Sequence, residues 1–124
     1  MEMVKAVRGA ISLATNSEDE LTRCVDSLYN ELMRINKLTA KDLISIIFSQ
    51  TEDISFNPAK ALRLSNNLNE TALFCTQEPV CEDFTSKRML RILMTFNTDR
   101  KEKAIPVYLG NAQTLRQDIA ASPT

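Results

Sequence analysis

Arg8, Arg91 and Arg116 interrupt or close apolar runs; Glu78 and Tyr108 sit at or within strand-like segments; Lys60 and Arg63 follow a helix cap. Any one of them reads most simply as a half-exposed or salt-bridged side chain. Taken as a set, five cations and one acid near strand ends suit a small molecule with several negative oxygens and one hydroxyl. Arg91 is the sharpest case. It lies inside "KRMLRILMTFNT", Lys87 to Thr98. Read as a strand, that run puts Leu90, Ile92, Met94 and Phe96 on one face and Met89, Arg91, Leu93 and Thr95 on the other. Both faces are mostly apolar, the pattern of a strand covered on both sides. An unpaired buried charge costs several kcal/mol. Arg91 therefore either meets an acid of this protein or waits for an anion from outside.

Absent residues narrow the chemistry. The chain has no histidine, hence no imidazole base, no Ser-His or Cys-His nucleophile and no His ligand for zinc. Two glycines, Gly9 and Gly110, cannot build a glycine-rich phosphate loop or a dinucleotide fingerprint. Three cysteines, Cys24, Cys75 and Cys81, cannot complete a four-ligand zinc site, and the odd number points to free thiols. No metal or other cofactor is expected. A net charge of -1 provides no field for nucleic acid or an anionic membrane surface. No run approaches the ~20 apolar residues of a membrane helix, and Arg8 breaks the only apolar run near the start, so a cytoplasmic location is expected.

These side chains need a scaffold. The 124 residues suffice for one domain. Met3–Ala14 reads as a first strand. The helix that follows opens on Ser17 and Glu20, a capping box, and carries Leu21, Val25, Leu28, Leu32 and Ile35 on one stripe. Cys24 on that stripe is core. Thr39 and Asp42 cap a short turn before the strand Leu43–Gln50, and Asn57-Pro58 starts a second helix. Thr71–Gln77 is a third strand, with Pro79 barring its continuation. The Arg91 segment is the fourth, its Met89, Met94 and Phe96 in the core and Lys87 and Arg88 facing solvent. "IPVYL" and "AQTLR", separated by the turn signal Gly110-Asn111, complete the chain. The order predicts an α+β domain, a mixed β-sheet with helices packed on it, as a single domain over 1–118 with a flexible tail over 119–124. So few helices leave apolar sheet uncovered, which favours a homo-oligomer.

"VRGAI", "NPAKALR", "CTQE", "RMLRILMTFNTD" and "VYLGNAQTLRQD" occur here in an order and spacing that resembles the AroH-class chorismate mutases, from about Val4 to Asp118. The resemblance implies a homotrimer forming a pseudo-α/β barrel, with active sites in clefts between subunits. It also implies rearrangement of chorismate to prephenate, in phenylalanine and tyrosine biosynthesis, with neither cofactor nor covalent intermediate. By the same resemblance Arg8 is a carboxylate clamp assisted by Tyr108, and Arg91 is the cation on the substrate's ether oxygen. Glu78 accepts from the ring hydroxyl with Cys75 beside it. Lys60 and Arg63, from the adjacent subunit, attract the second carboxylate, with Ala59 in the same segment. Leu115 and Arg116 close over the substrate. Asn57 stands where that family usually has an aromatic residue, and Phe74 where it commonly has a small polar one; both belong to the cleft wall. Two other readings keep part of this picture. A reactive enamine/imine deaminase would share the trimeric architecture, and a non-catalytic sensor of an aromatic-pathway metabolite would share the binding groups.

Overall fold

The computed structural model describes residues 2–82 and 86–114. Strand β1 (Met3–Ser12) leads into helix α1 (Glu18–Ile35), then a 3-10 turn (Ala40–Asp42) and β2 (Leu43–Gln50). Helix α2 (Pro58–Asn66), β3 (Ala72–Gln77), β4 (Met89–Thr98), β5 (Val107–Leu109) and a 3-10 turn (Gly110–Thr114) follow. The strands form a five-stranded sheet in the order β3-β2-β4-β1-β5. β4 runs antiparallel to both β1 and β2, while β3 is parallel to β2 and β5 is parallel to β1. The expected mixed α+β sheet is what forms.

Local chemistry places the boundaries. Ser17 caps α1, its side chain accepting from the Glu20 N–H at 3.2 Å. The Glu20 carboxylate does not return to Ser17. It reaches past the cap to the Ala14 N–H at 2.7 Å and holds Arg23 at 2.8 Å. Ala14 thus gives its donor to a side chain, and β1 stops at Ser12, short of the expected Ala14. Asn57 caps α2 through the Lys60 N–H at 3.1 Å, with Pro58 in the first turn. Proline there loses nothing, since that N–H has no helical partner.

β4 begins at Met89 because Arg88 takes a left-handed conformation with φ of 47°. That backbone is stabilised from outside. The Arg88 N–H donates to both Asp53 carboxylate oxygens at 3.0 Å, and its Nε donates to the Leu13 carbonyl at 3.0 Å. Thr51 completes the buckle, donating to Asp53 and accepting from the Met89 N–H at 3.0 Å. Arg88 was expected to face solvent; it is instead half-buried and fastens the start of β4 to the ends of β1 and β2.

One side of the sheet is the core. Ile11, Phe48, Leu90, Ile92, Met94 and Phe96 pack against Leu21, Cys24, Leu28 and Leu32 of α1 and Leu62 of α2. Gly9 is required here: a Cβ on it would sit 3.0 Å from a Leu32 methyl and 3.1 Å from one of Leu28. Its absence lets α1 close on β1. Cys24 is fully buried, as expected, and burial pushes its thiol up to about 11. On the other side, the described residues cover one end, where Met89, Ala10 and Ala112 form a small second cluster with Tyr108. Beyond it, among the described residues, nothing packs on the sheet, and Ile47, Phe74 and Leu93 stay exposed.

Candidate active site

Cross-strand register assembles the site. Arg91 on β4 stands opposite Ser49 on β2 and Ala10 on β1. Ser49 in turn faces Thr76 on β3, and Ala10 faces Tyr108 on β5. One row across the open side therefore reads Thr76, Ser49, Arg91, Ala10, Tyr108. The next row carries Phe74, Ile47, Leu93 and Arg8. Small residues flank Arg91 on both sides, which leaves room for the guanidinium. These rows shape a cleft of about 300 Å³, within the range of small-molecule sites, lined among others by Arg8, Ser49, Glu78, Arg91 and Tyr108.

Glu78 lies just past β3, and its N–H donates to the Gln50 carbonyl at 2.8 Å, extending the β2–β3 pairing by one residue. Pro79 then prevents further pairing. The Glu78 carboxylate accepts from the Ser49 hydroxyl at 2.7 Å and sits 3.5 Å from Arg91 Nε. The glutamate side chain is 11% exposed and that of Arg91 36%. Both alternatives raised by the strand arginine hold together: Arg91 has an internal acid beside it and still opens onto a cleft. Tyr108 is positioned from a distance. Asn36, at the end of α1, accepts from the Ile105 N–H at 2.7 Å and donates to the Ile105 carbonyl at 3.0 Å, fixing the approach to β5.

The remaining candidates lie elsewhere in the chain. Cys75 points to the helix side of β3, where its thiol donates to Asn57 Oδ1 at 3.4 Å. Burial raises that thiol, partly offset by the Ala59 backbone. Asn57 and Cys75 line a second pocket of about 440 Å³ with Gln50 and Gln77. Ala59 is half-buried against the core, while Lys60 and Arg63 are exposed on α2. Phe74 is 64% exposed on the open side. One chain thus brings Arg8, Glu78, Arg91 and Tyr108 together and keeps Asn57, Ala59, Lys60, Arg63 and Cys75 out of that cleft. Leu115 and Arg116 lie outside the described residues, as does the expected tail. Sequence reasoning missed Ser49 and Thr76. The available signal was Ser49 itself, a small polar residue sharing a strand face with Ser45 and Ile47 in a largely apolar run.

The sequence matches the family description "Chorismate mutase type I" over residues 4–119. The chain belongs to this family. It is 29% identical over 122 residues to chorismate mutase AroH of Bacillus subtilis (strain 168), covering 95% of this chain and 94% of that protein. A solved structure, chorismate mutase from Clostridium thermocellum, superposes with a TM-score of 0.82 at 34% identity, covering 88% of this chain and 97% of that one. As a chorismate mutase the protein is an isomerase: it converts chorismate to prephenate, a step towards the aromatic amino acids. The resemblance read from the sequence is borne out, and the deaminase and sensor readings give way to it. Among the described residues no helix is long and apolar enough to cross a membrane.

Proposed function

We propose that the cleft holding Arg8, Glu78, Arg91 and Tyr108 is where chorismate rearranges, and that the enzyme works by clamping a dianion and stabilising charge on its ether oxygen. The convergence of those four side chains on one small cavity carries the reading. The reaction breaks one C–O bond as it forms one C–C bond within a single molecule. No proton moves, so a chain without histidine is equal to it.

Arg8 and Tyr108 would hold one carboxylate, which keeps a flexible substrate in its compact reactive shape. Arg91 would meet the ether oxygen. That oxygen is a poor acceptor in the ground state and enolate-like at the transition state, so its attraction to a fixed guanidinium grows along the reaction coordinate. Glu78 would accept from the ring hydroxyl. It also stands 3.5 Å from Arg91, so the empty site does not hold an isolated cation.

The same reading makes the enzyme a cytoplasmic homotrimer with its sites between subunits. Val4, Phe74 and Leu93 lie exposed on the cleft side of the sheet, where a neighbour would cover them. Lys60 and Arg63 would then reach a neighbouring cleft to meet the second carboxylate. Asn57, Ala59, Phe74 and Cys75 would contribute to its wall, and Leu115 and Arg116 would close it. The decisive variant is Arg91→Ala. Followed by the loss of chorismate's ultraviolet absorbance, kcat should fall by a factor on the order of 10² to 10³, with the circular dichroism spectrum unchanged. Retention of a tenth of the parent's kcat would remove Arg91 from the mechanism.

A further inference from the structure

We propose that Ser49 is a positioning residue that fixes the orientation of the Glu78 carboxylate, holding one oxygen so that the other meets the substrate; this rests on the reading of Glu78 as the acceptor for the ring hydroxyl. Ser49 lies on β2, between Thr76 and Arg91 in the row that floors the cleft. Its hydroxyl donates to Glu78 Oε1 at 2.7 Å, and Arg91 Nε faces the same oxygen at 3.5 Å. Both contacts fall on Oε1, and among the described residues Oε2 accepts no hydrogen bond. Oε2 is therefore the atom left for the substrate.

A carboxylate turns freely about its last torsion, which has only a broad two-fold preference. A backbone bond from the Glu78 N–H anchors the residue but not its side chain. Ser49 supplies the missing constraint. Without it, the carboxylate can close the 3.5 Å gap to Arg91 and occupy donors that the ether oxygen needs. The residue type fits this role better than a packing role. Interior strand positions favour β-branched and aromatic side chains, and β2 has Ile46, Ile47 and Phe48 immediately before Ser49. A serine forgoes that packing and contributes a short hydroxyl that reaches Glu78.

The test is a double-mutant cycle on the full-length enzyme: Ser49→Ala, Glu78→Gln and the pair, each assayed for kcat and KM with chorismate and for thermal midpoint. Ser49→Ala alone should lower kcat/KM about tenfold, the factor expected for a hydrogen bond to a charged group. In the Glu78→Gln background it should have almost no further effect. Thermal midpoints of Ser49→Ala and the parent should agree within a few degrees. An equal loss in both backgrounds overturns the role of Ser49 while leaving Glu78 in place. A lowered midpoint with kcat/KM unchanged does the same, by making Ser49 a packing residue. A Glu78→Gln enzyme as active as the parent overturns the reading of Glu78, and this inference with it.

Discussion

The two sides of the sheet are made by the same strands and finished to different degrees. Ile92 is 3% exposed and its neighbour Leu93 is 38% exposed. Ile92 belongs to a side roofed by α1 and α2, where Leu90, Met94 and Phe96 are also buried in one hydrophobic cluster. Leu93 belongs to a side where the chain has placed Arg8, Ser49 and Arg91 among Ile47, Phe74 and Val4. The first side is a core complete within one chain. The second, among the described residues, mixes charge with exposed apolar area; under the proposed reading a substrate meets the charges and another subunit covers the apolar area. Structure and chemistry are thus separated by a single step along a strand.

That separation can be broken most directly at its boundary. Ile92→Ala should cost about 2–5 kcal/mol of stability in urea unfolding, because the roofed side cannot collapse to fill the space. Activity per folded molecule should stay within about twofold. Arg91→Ala should do the reverse, and an Ile92→Ala protein as stable as its parent would abolish the contrast. Next in size, Leu93→Asp should shift sedimentation towards smaller species at micromolar concentration while leaving the far-ultraviolet spectrum intact. An unaltered assembly would mean that the cleft side is not where subunits meet.

Acid should probe the cap of the roofing helix α1. Hydrogen bonds from Arg23 and the Ala14 N–H pull the Glu20 carboxyl from 4.5 down to about 2. A depressed folded value means that its stabilisation is complete above about pH 4.5 and lost as pH falls through about 2. Glu20→Gln should therefore be less stable than the parent above about pH 4.5, the two converging towards pH 2. Equal stabilities at neutral pH would show that the carboxylate does not support the cap. The smallest effect belongs to Cys75→Ser. Its thiol donates to Asn57 and burial raises it, which suits a packing role, and a serine hydroxyl can make the same bond. Turnover should stay within about threefold; complete loss, or a covalent adduct in mass spectrometry, would make Cys75 a nucleophile.

Much of the scaffold was legible. Ser17, Asn57-Pro58 and Thr39 with Asp42 mark helix and turn starts because capping is settled by residues three positions away. The strand ends were less legible: β1 stops early because of Glu20, and β4 starts late because of Asp53. Asp53 lies 35 residues from Arg88 in sequence, and no local pattern predicts that bond. The same limit hid Ser49. Its type was visible, but its meaning depends on Glu78, 29 positions along the chain.

The order of residues by itself determined the elements, the stripe of α1 and the apolar alternation of β4, because side-chain periodicity and caps need only near neighbours. The family resemblance was carried by residues spread from Val4 to Asp118 and was equally legible. Only the tertiary structure decided that Arg8, Glu78, Arg91 and Tyr108 share one cleft while Cys75 turns to the opposite side. It also decided that, among the described residues, Ile47, Phe74 and Leu93 stay exposed on the side of the charges. Proximity across strands is set by register and strand order, and these follow from how the whole chain packs.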